Sequence, residues 1–117
     1  MPSSPTSYRA GLLAEWRARW FLRFRGYRIV ASRYVTGRHT HRAEIDIIAR
    51  RKNLLLFIEV KCRPDIRAGF AAITPHQAQR LRLAAQTYIA RNHYSGDARF
   101  DVIIVVGRKI HWIQGAI

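Results

Sequence analysis

Residues 43–63, AEIDIIARRKNLLLFIEVKCR, set two β-rich apolar runs on either side of a short polar cluster, a pattern that a β-hairpin satisfies. The runs are residues 45–49 and 54–60, and Arg50, Arg51, Lys52 and Asn53 supply the turn. Side chains alternate faces along a strand, so Glu44 and Asp46 share one face of the first strand, and Glu59 and Lys61 one face of the second. Ile45, Ile47, Ile58 and Val60 then line the opposite, core-directed faces. A register with Glu44 opposite Glu59 puts Asp46 opposite Phe57 and diagonal to Glu59, with backbones about 7–8 Å apart. A slip of one residue would send Asp46 and Glu59 to opposite faces, so the hairpin register decides whether their carboxylates converge.

Converging carboxylates repel, and stay ionised at neutral pH only if a cation joins them. Mg²⁺ or Mn²⁺ suits such a set: magnesium takes oxygen ligands, keeps several waters, and typically uses one or two carboxylates plus substrate phosphate oxygens. Lys61, two residues past Glu59 on the same face, would reach the reacting phosphate or the attacking water. An acid followed at a distance by Glu-x-Lys on a strand is therefore an arrangement for metal-dependent phosphodiester hydrolysis. The plain alternative is a solvated hairpin face with ordinary ion pairs.

A chain of 117 residues with 49% hydrophobic content fits one domain around a single core. Its formal charge is +14, and arginine supplies all but three of the 21 basic side chains. That field favours polyanions, and arginine suits bidentate phosphate contact, so nucleic acid leads as partner over ribosomal surface or anionic membrane. A single cysteine, Cys62, rules out an internal disulfide and suits the reducing cytoplasm. No apolar run approaches membrane-spanning length.

Along the chain, residues 1–6 read as a disordered polar lead and residues 7–117 as one domain. From Ser7 a helical pattern sets in, with Leu13, Trp16, Trp20, Phe21 and Phe24 as its inner stripe and Gly26 as its stop. On that reading the tryptophans are core residues rather than base-stacking platforms. Glu15, the only acid before residue 44, reads first as an i, i+4 partner of Arg19. Residues 27–34 form a strand with Ile29 and Val30 on opposite faces, and residues 35–42 a basic loop, where His39 and His41 alone make a weak zinc signal. Residues 64–73 read as a loop that Gly69 allows to move, with Asp65 a surface acid. Thr74 and Pro75 open a second long helix as N-cap and first-turn proline. Ala78, Leu81, Ala85, Tyr88 and Ile89 face inward from it, and Gln77, Arg80, Arg82 and Arg91 outward. Residues 100–106, FDVIIVV, form a central strand covered on both faces, in which Asp101 must find partners. Residues 110–113 close the sheet.

Gly11, Ala14-Glu15, Ala18, Phe21-Leu22 and Gly26-Tyr27, then Glu44-Ile45-Asp46, Phe57-Ile58-Glu59-Val60-Lys61-Cys62-Arg63 and Arg99-Phe100-Asp101-Val102 resemble the successive motifs of the YraN family of small bacterial proteins. The resemblance covers about residues 8–106. It implies the restriction-endonuclease-like α/β fold, an αβββαβ core with a mixed sheet flanked by helices, and a likeness to archaeal Holliday junction resolvases. It also implies an active site of Glu15, Asp46, Glu59 and Lys61, in which Asp46, Glu59 and Glu15 bind the metal. Ala43 stands where that family usually has glycine, and Gln77 where it usually has lysine.

The expectation is thus a nuclease dependent on Mg²⁺ or Mn²⁺ that hydrolyses phosphodiester bonds in DNA, branched DNA included. Arg38, Arg42, Arg63, Arg67, Gln77 and Arg80 are expected to hold the nucleic acid, and the sequence leaves a homodimer open. The rival expectation is a basic nucleic-acid-binding module that keeps the fold without turnover.

Overall fold

The computed structural model describes residues 5–37 and 42–117. Helix α1 (Pro5–Phe24) leads into strands β1 (Arg28–Thr36), β2 (Ala43–Arg51) and β3 (Leu54–Cys62). A short helix α2 (Ile66–Ala71) and the long α3 (Pro75–Arg91) follow, then β4 (Asp97–Val106) and β5 (Lys109–Ile113). The strands form one sheet in the order β1-β2-β3-β4-β5, antiparallel except for the parallel pair β3 and β4. Parallel neighbours need a crossover connection, and α2 with α3 supplies it. This is the mixed α/β sheet flanked by helices that the motif order implied.

Helix α1 starts at Pro5, two residues before the helical pattern becomes legible, because a proline in the first turn gives up only an N–H that has no helical partner. It stops as expected at Gly26, whose φ of 88° closes the end with Tyr27 N–H donating to the Leu22 carbonyl and Gly26 N–H to Arg23.

The helix turns a different face inward from the one its large residues suggest. Ala14, Ala18 and Leu22 are buried against Ile47, Leu56, Ile58, Val60, Ile103 and Val105, with Phe21 partly so, while Leu13, Trp16, Trp20 and Phe24 are exposed. Small residues win the inner positions because they let the helix lie close to the sheet. On the other face Leu81, Ala84 and Ala85 of α3 pack on Ile45, Ile48, Leu55 and Phe57.

The hairpin closes through Lys52 and Asn53 alone, with Lys52 at φ 55° and pairs running out to Arg51↔Leu54. This tighter turn pairs Phe57 with Ile48 rather than Asp46, a two-residue offset, which by itself does not exchange the faces. Strict alternation nevertheless fails at Asp46, since Ile45 packs on the α3 side and Ile47 on the α1 side. The change falls beside Arg33 of β1, which lies between the pairs Ser32↔Ile47 and Tyr34↔Ile45 and has a left-handed φ of 53°.

Residues 66–71, expected as loop, are helical because Asp65 caps them: its carboxylate accepts the Ala68 N–H at 2.8 Å. Gly69 is buried there by a close approach to Ile104. Thr74 caps α3 as expected, accepting the Gln77 N–H at 3.1 Å, with Pro75 in the first turn. Strand β4 begins at Asp97, and Asp101 is fully buried with its partners in place. Arg99 donates to it at 2.9 and 3.0 Å, Trp112 Nε1 at 2.8 Å and Gly115 N–H at 2.9 Å. No described helix is long and apolar enough to cross a membrane.

Candidate active site

Asp46 and Glu59 meet at the middle of the sheet. The paired register of β2 and β3 ends at Ile47↔Ile58, beside the two acids, rather than carrying on to the expected pairing of Glu44 with Glu59. The Asp46 Oδ2 accepts the Val60 backbone N–H at 2.8 Å, so a side chain takes a donor that a continuing ladder would give to a carbonyl. Burial pushes the Asp46 carboxyl up to about 8, and the neighbouring charge of Glu59 adds to the rise, with the Val60 N–H working against it. Glu59 is itself only 7% exposed.

Lys61 Nζ lies 3.2 Å from Glu59 Oε1, the same-face pairing that strand alternation gives. Gln77, in the first turn of α3, also turns inward rather than to solvent. Its amide satisfies both ends when Nε2 donates to the Ala72 carbonyl at 3.0 Å and Oε1 accepts from Lys61 Nζ at 3.0 Å. Lys61 is thereby held between a carboxylate and an amide oxygen.

Glu15 lines one cavity together with Asp46 and Glu59. Its partner is Arg33, not Arg19: the guanidinium Nε and Nη2 donate to the two carboxylate oxygens at 3.1 and 3.3 Å. The pairing raises the Arg33 pKa further, and Glu15 adds a small upward push on Asp46. Arg33 has no local sequence signal, because its role depends on a strained φ and on a helix 18 residues upstream.

Two cavities open on the acid pair. One, of about 340 Å³, is lined by Arg42, Glu44, Asp46, Glu59, His76, Gln77 and Arg80. The other, of about 580 Å³, lies under α1 and brings Glu15, Asp46, Glu59, Lys61 and Arg63 together with Gly11 and Cys62. Of the expected nucleic-acid contacts, Arg42, Gln77, Arg80 and Arg63 thus border the acids, while Arg67 on α2 is exposed and lines neither cavity. Arg38, like His39 and His41, lies outside the described residues. His76 was not singled out by sequence; its only signal is a place in the first turn after Pro75.

Among the described residues no group of three or more His, Cys, Asp or Glu side chains is disposed to hold a metal ion. Two carboxylates are nevertheless enough for a hard cation that keeps most of its water. An all-oxygen pair of this kind is the donor chemistry of Mg²⁺ or Mn²⁺ and lacks the four ligands of a zinc centre.

A mixed sheet between helices, carrying Asp46, Glu59 and Lys61 on adjacent strands, defines an α/β protein with a core consistent with the nuclease-like class. The model of the family described as Uncharacterised protein family UPF0102 matches residues 14–105, and the chain belongs to this family, the YraN family. A relative from Bradyrhizobium diazoefficiens is 40% identical over 111 residues, covering 93% of this chain and 80% of that protein. One from Rhodopseudomonas palustris strain BisB18 is 39% identical over 93% of this chain and 79% of its own. One from Nitrobacter winogradskyi is 40% identical over 106 residues, covering 89% of this chain and 86% of that protein. Each relative bears only the family's designation as its name.

Proposed function

We propose that the chain is a divalent-metal-dependent nuclease that hydrolyses phosphodiester bonds in DNA, including branched DNA, in the cytoplasm. The observation that supports this best is the convergence of Asp46, Glu59 and Lys61 at cavities rimmed by Arg42, Arg63 and Arg80. Asp46 and Glu59 would hold Mg²⁺ or Mn²⁺, with Glu15 completing the site through water. A bound ion there would polarise the phosphoryl oxygen and offset the charge that develops on it. Lys61 would hydrogen-bond the attacking water or a phosphoryl oxygen while the new P–O bond forms, the old one breaks and the leaving oxygen takes a proton. The rim arginines and Gln77 would hold the flanking phosphates, as would Arg38 and Arg67 on a longer substrate.

A second reading has its own support. Arg33 occupies both oxygens of Glu15, and Lys61 sits directly on Glu59, which favours a nucleic-acid-binding module without turnover. One experiment separates the two. Duplex, single-stranded, flap and four-way DNA are incubated with the protein in Mg²⁺, Mn²⁺ or chelator, alongside Asp46→Asn and Glu59→Gln. Cleavage that requires metal and vanishes in both variants supports the nuclease. Undiminished binding in chelator with no cleavage in either metal supports the binding module.

A further inference from the structure

Trp16, Trp20 and Phe24 recur every four residues on α1 and are 52%, 43% and 82% exposed. Residues four apart rise about 6 Å and stay on one side of a helix, so these rings form a continuous stripe. Trp20 and Phe24 lie 5.9 Å apart between ring centres, and the Arg23 guanidinium sits 4.9 Å over Trp20. The stripe borders a groove of about 600 Å³ whose other wall is Phe21, Arg17 and Ile110 of β5. Arg17 is fixed there by hydrogen bonds to the Gly107 and Arg108 carbonyls at 2.7 and 2.6 Å.

A second cavity of about 320 Å³ adjoins this groove and shares Arg25 with it; Arg51, Arg99, Tyr27 and Trp112 line it as well. Arg25 gives one nitrogen to the Phe21 carbonyl and Arg51 one to the Arg25 carbonyl, so most of their donors remain. No acid lines either cavity among the described residues. Leu54, at this cavity, and Glu59, at the acid pair, are five residues apart on β3, about 17 Å along the strand. The two sites are therefore distinct.

An exposed aromatic stripe of this extent marks an interaction surface. A net charge of +14 opposes a second copy of the chain as its occupant. The rim is arginine and the exposed wall is aromatic, so the ligand must combine anionic charge with apolar faces that pack on rings. An unpaired nucleic-acid strand offers both, whereas a duplex keeps its base faces stacked inside. We propose that this face is a second nucleic-acid site, specific for single strands, in which bases stack on Trp16, Trp20 and Phe24 and a phosphate enters the pocket of Arg25 and Arg51. It stands whether or not the acid pair is catalytic.

All three tryptophans of the chain lie on this face, so intrinsic fluorescence reports on it directly. A labelled twelve-residue oligothymidylate is titrated in chelator, with anisotropy giving affinity and tryptophan emission giving location. Binding should quench emission, and a duplex of equal length should compete poorly. The double variant Trp16→Ala/Trp20→Ala should bind about tenfold or more weakly, and Phe24→Ala should also weaken binding. Replacing Arg25 and Arg51 by alanine should lower the slope of log affinity against log salt by about 0.7 for each phosphate the variant no longer neutralises. Metal-dependent cleavage of duplex DNA, the readout of the acid pair, is followed in the same variants, which separates failure here from failure of the nuclease reading. Wild-type affinity in both the tryptophan and Phe24 variants overturns the proposal. So does emission that ignores the oligonucleotide but responds to phosphatidylglycerol vesicles, or to a concentration-dependent dimer seen in sedimentation.

Discussion

Asp46 sits half-buried beside Glu59, where both carboxylates carry full charge only at a cost unless a cation joins them. Its folded pKa of about 8 lies above the ordinary value of 3.8, so between those limits the folded chain keeps a proton that the unfolded chain has lost. The contribution of this group to stability is then largest below about pH 4 and is lost as pH rises towards 8. Asp46→Asn removes the titration but retains an oxygen to accept the Val60 N–H. Its thermal midpoint in chelator should exceed that of the wild type by a few degrees near pH 8, about 1 kcal/mol or more, with the gap narrowing towards pH 5. Added Mn²⁺ should raise the wild-type midpoint increasingly up to about pH 8 and leave the variant unmoved. Melting curves at pH 5, 6.5 and 8 check both; a gap independent of pH would show that Asp46 does not hold the proton. Asp101 shows the contrasting solution for a buried acid, since the Arg99 guanidinium supplies the opposite charge and Trp112 and Gly115 supply further donors, so no metal ion is needed. Sequence alone indicated that Asp101 needed partners, but not that Trp112 and Gly115, 11 and 14 residues on, would supply them.

At the level of elements, α2 and α3 form the crossover, and their seating fixes where Gln77 meets Lys61. Gly69 is the closest point of that seating: a Cβ built there would fall 2.5 Å from Ile104 Cγ2 and within 2.9 Å of two further Ile104 atoms. Ile104 is fully buried and has little room to give. Gly69→Ala should therefore destabilise the protein by about 1–3 kcal/mol through overpacking, despite the better helix propensity of alanine. Chemical denaturation measures it, and a variant as stable as the wild type would show that α2 can lift from the sheet freely. Helix α1 presents the opposite case. Its sequence carries two stripes, one large and one small, and helical periodicity cannot say which turns inward. The large one, Trp16, Trp20 and Phe24, is left to solvent.

Across the whole molecule, the positive charge is spread on every element while only seven acids oppose it. Such a surface repels itself at low ionic strength, so the metal-free protein should gain thermal stability as sodium chloride rises from about 20 to 300 mM. Binding to duplex DNA should move the other way, with log affinity falling by about 0.9 per neutralised phosphate for each log unit of salt. Scanning calorimetry and a binding isotherm over one salt series test the pair, and affinity indifferent to salt would remove nucleic acid as the partner. The sequence by itself determined the hairpin of residues 43–63, the stop at Gly26, the cap at Thr74 and the doubly covered strand β4. Each of these is written in contacts within a few residues or in unbroken hydrophobicity. Only the tertiary structure decided that Ala14 and Ala18 rather than Trp16 and Trp20 face the core, that Arg33 rather than Arg19 holds Glu15, and that Gln77 turns inward to Lys61. Those outcomes depend on how closely one layer can approach another, and interlayer distance is set by residues that are remote along the chain.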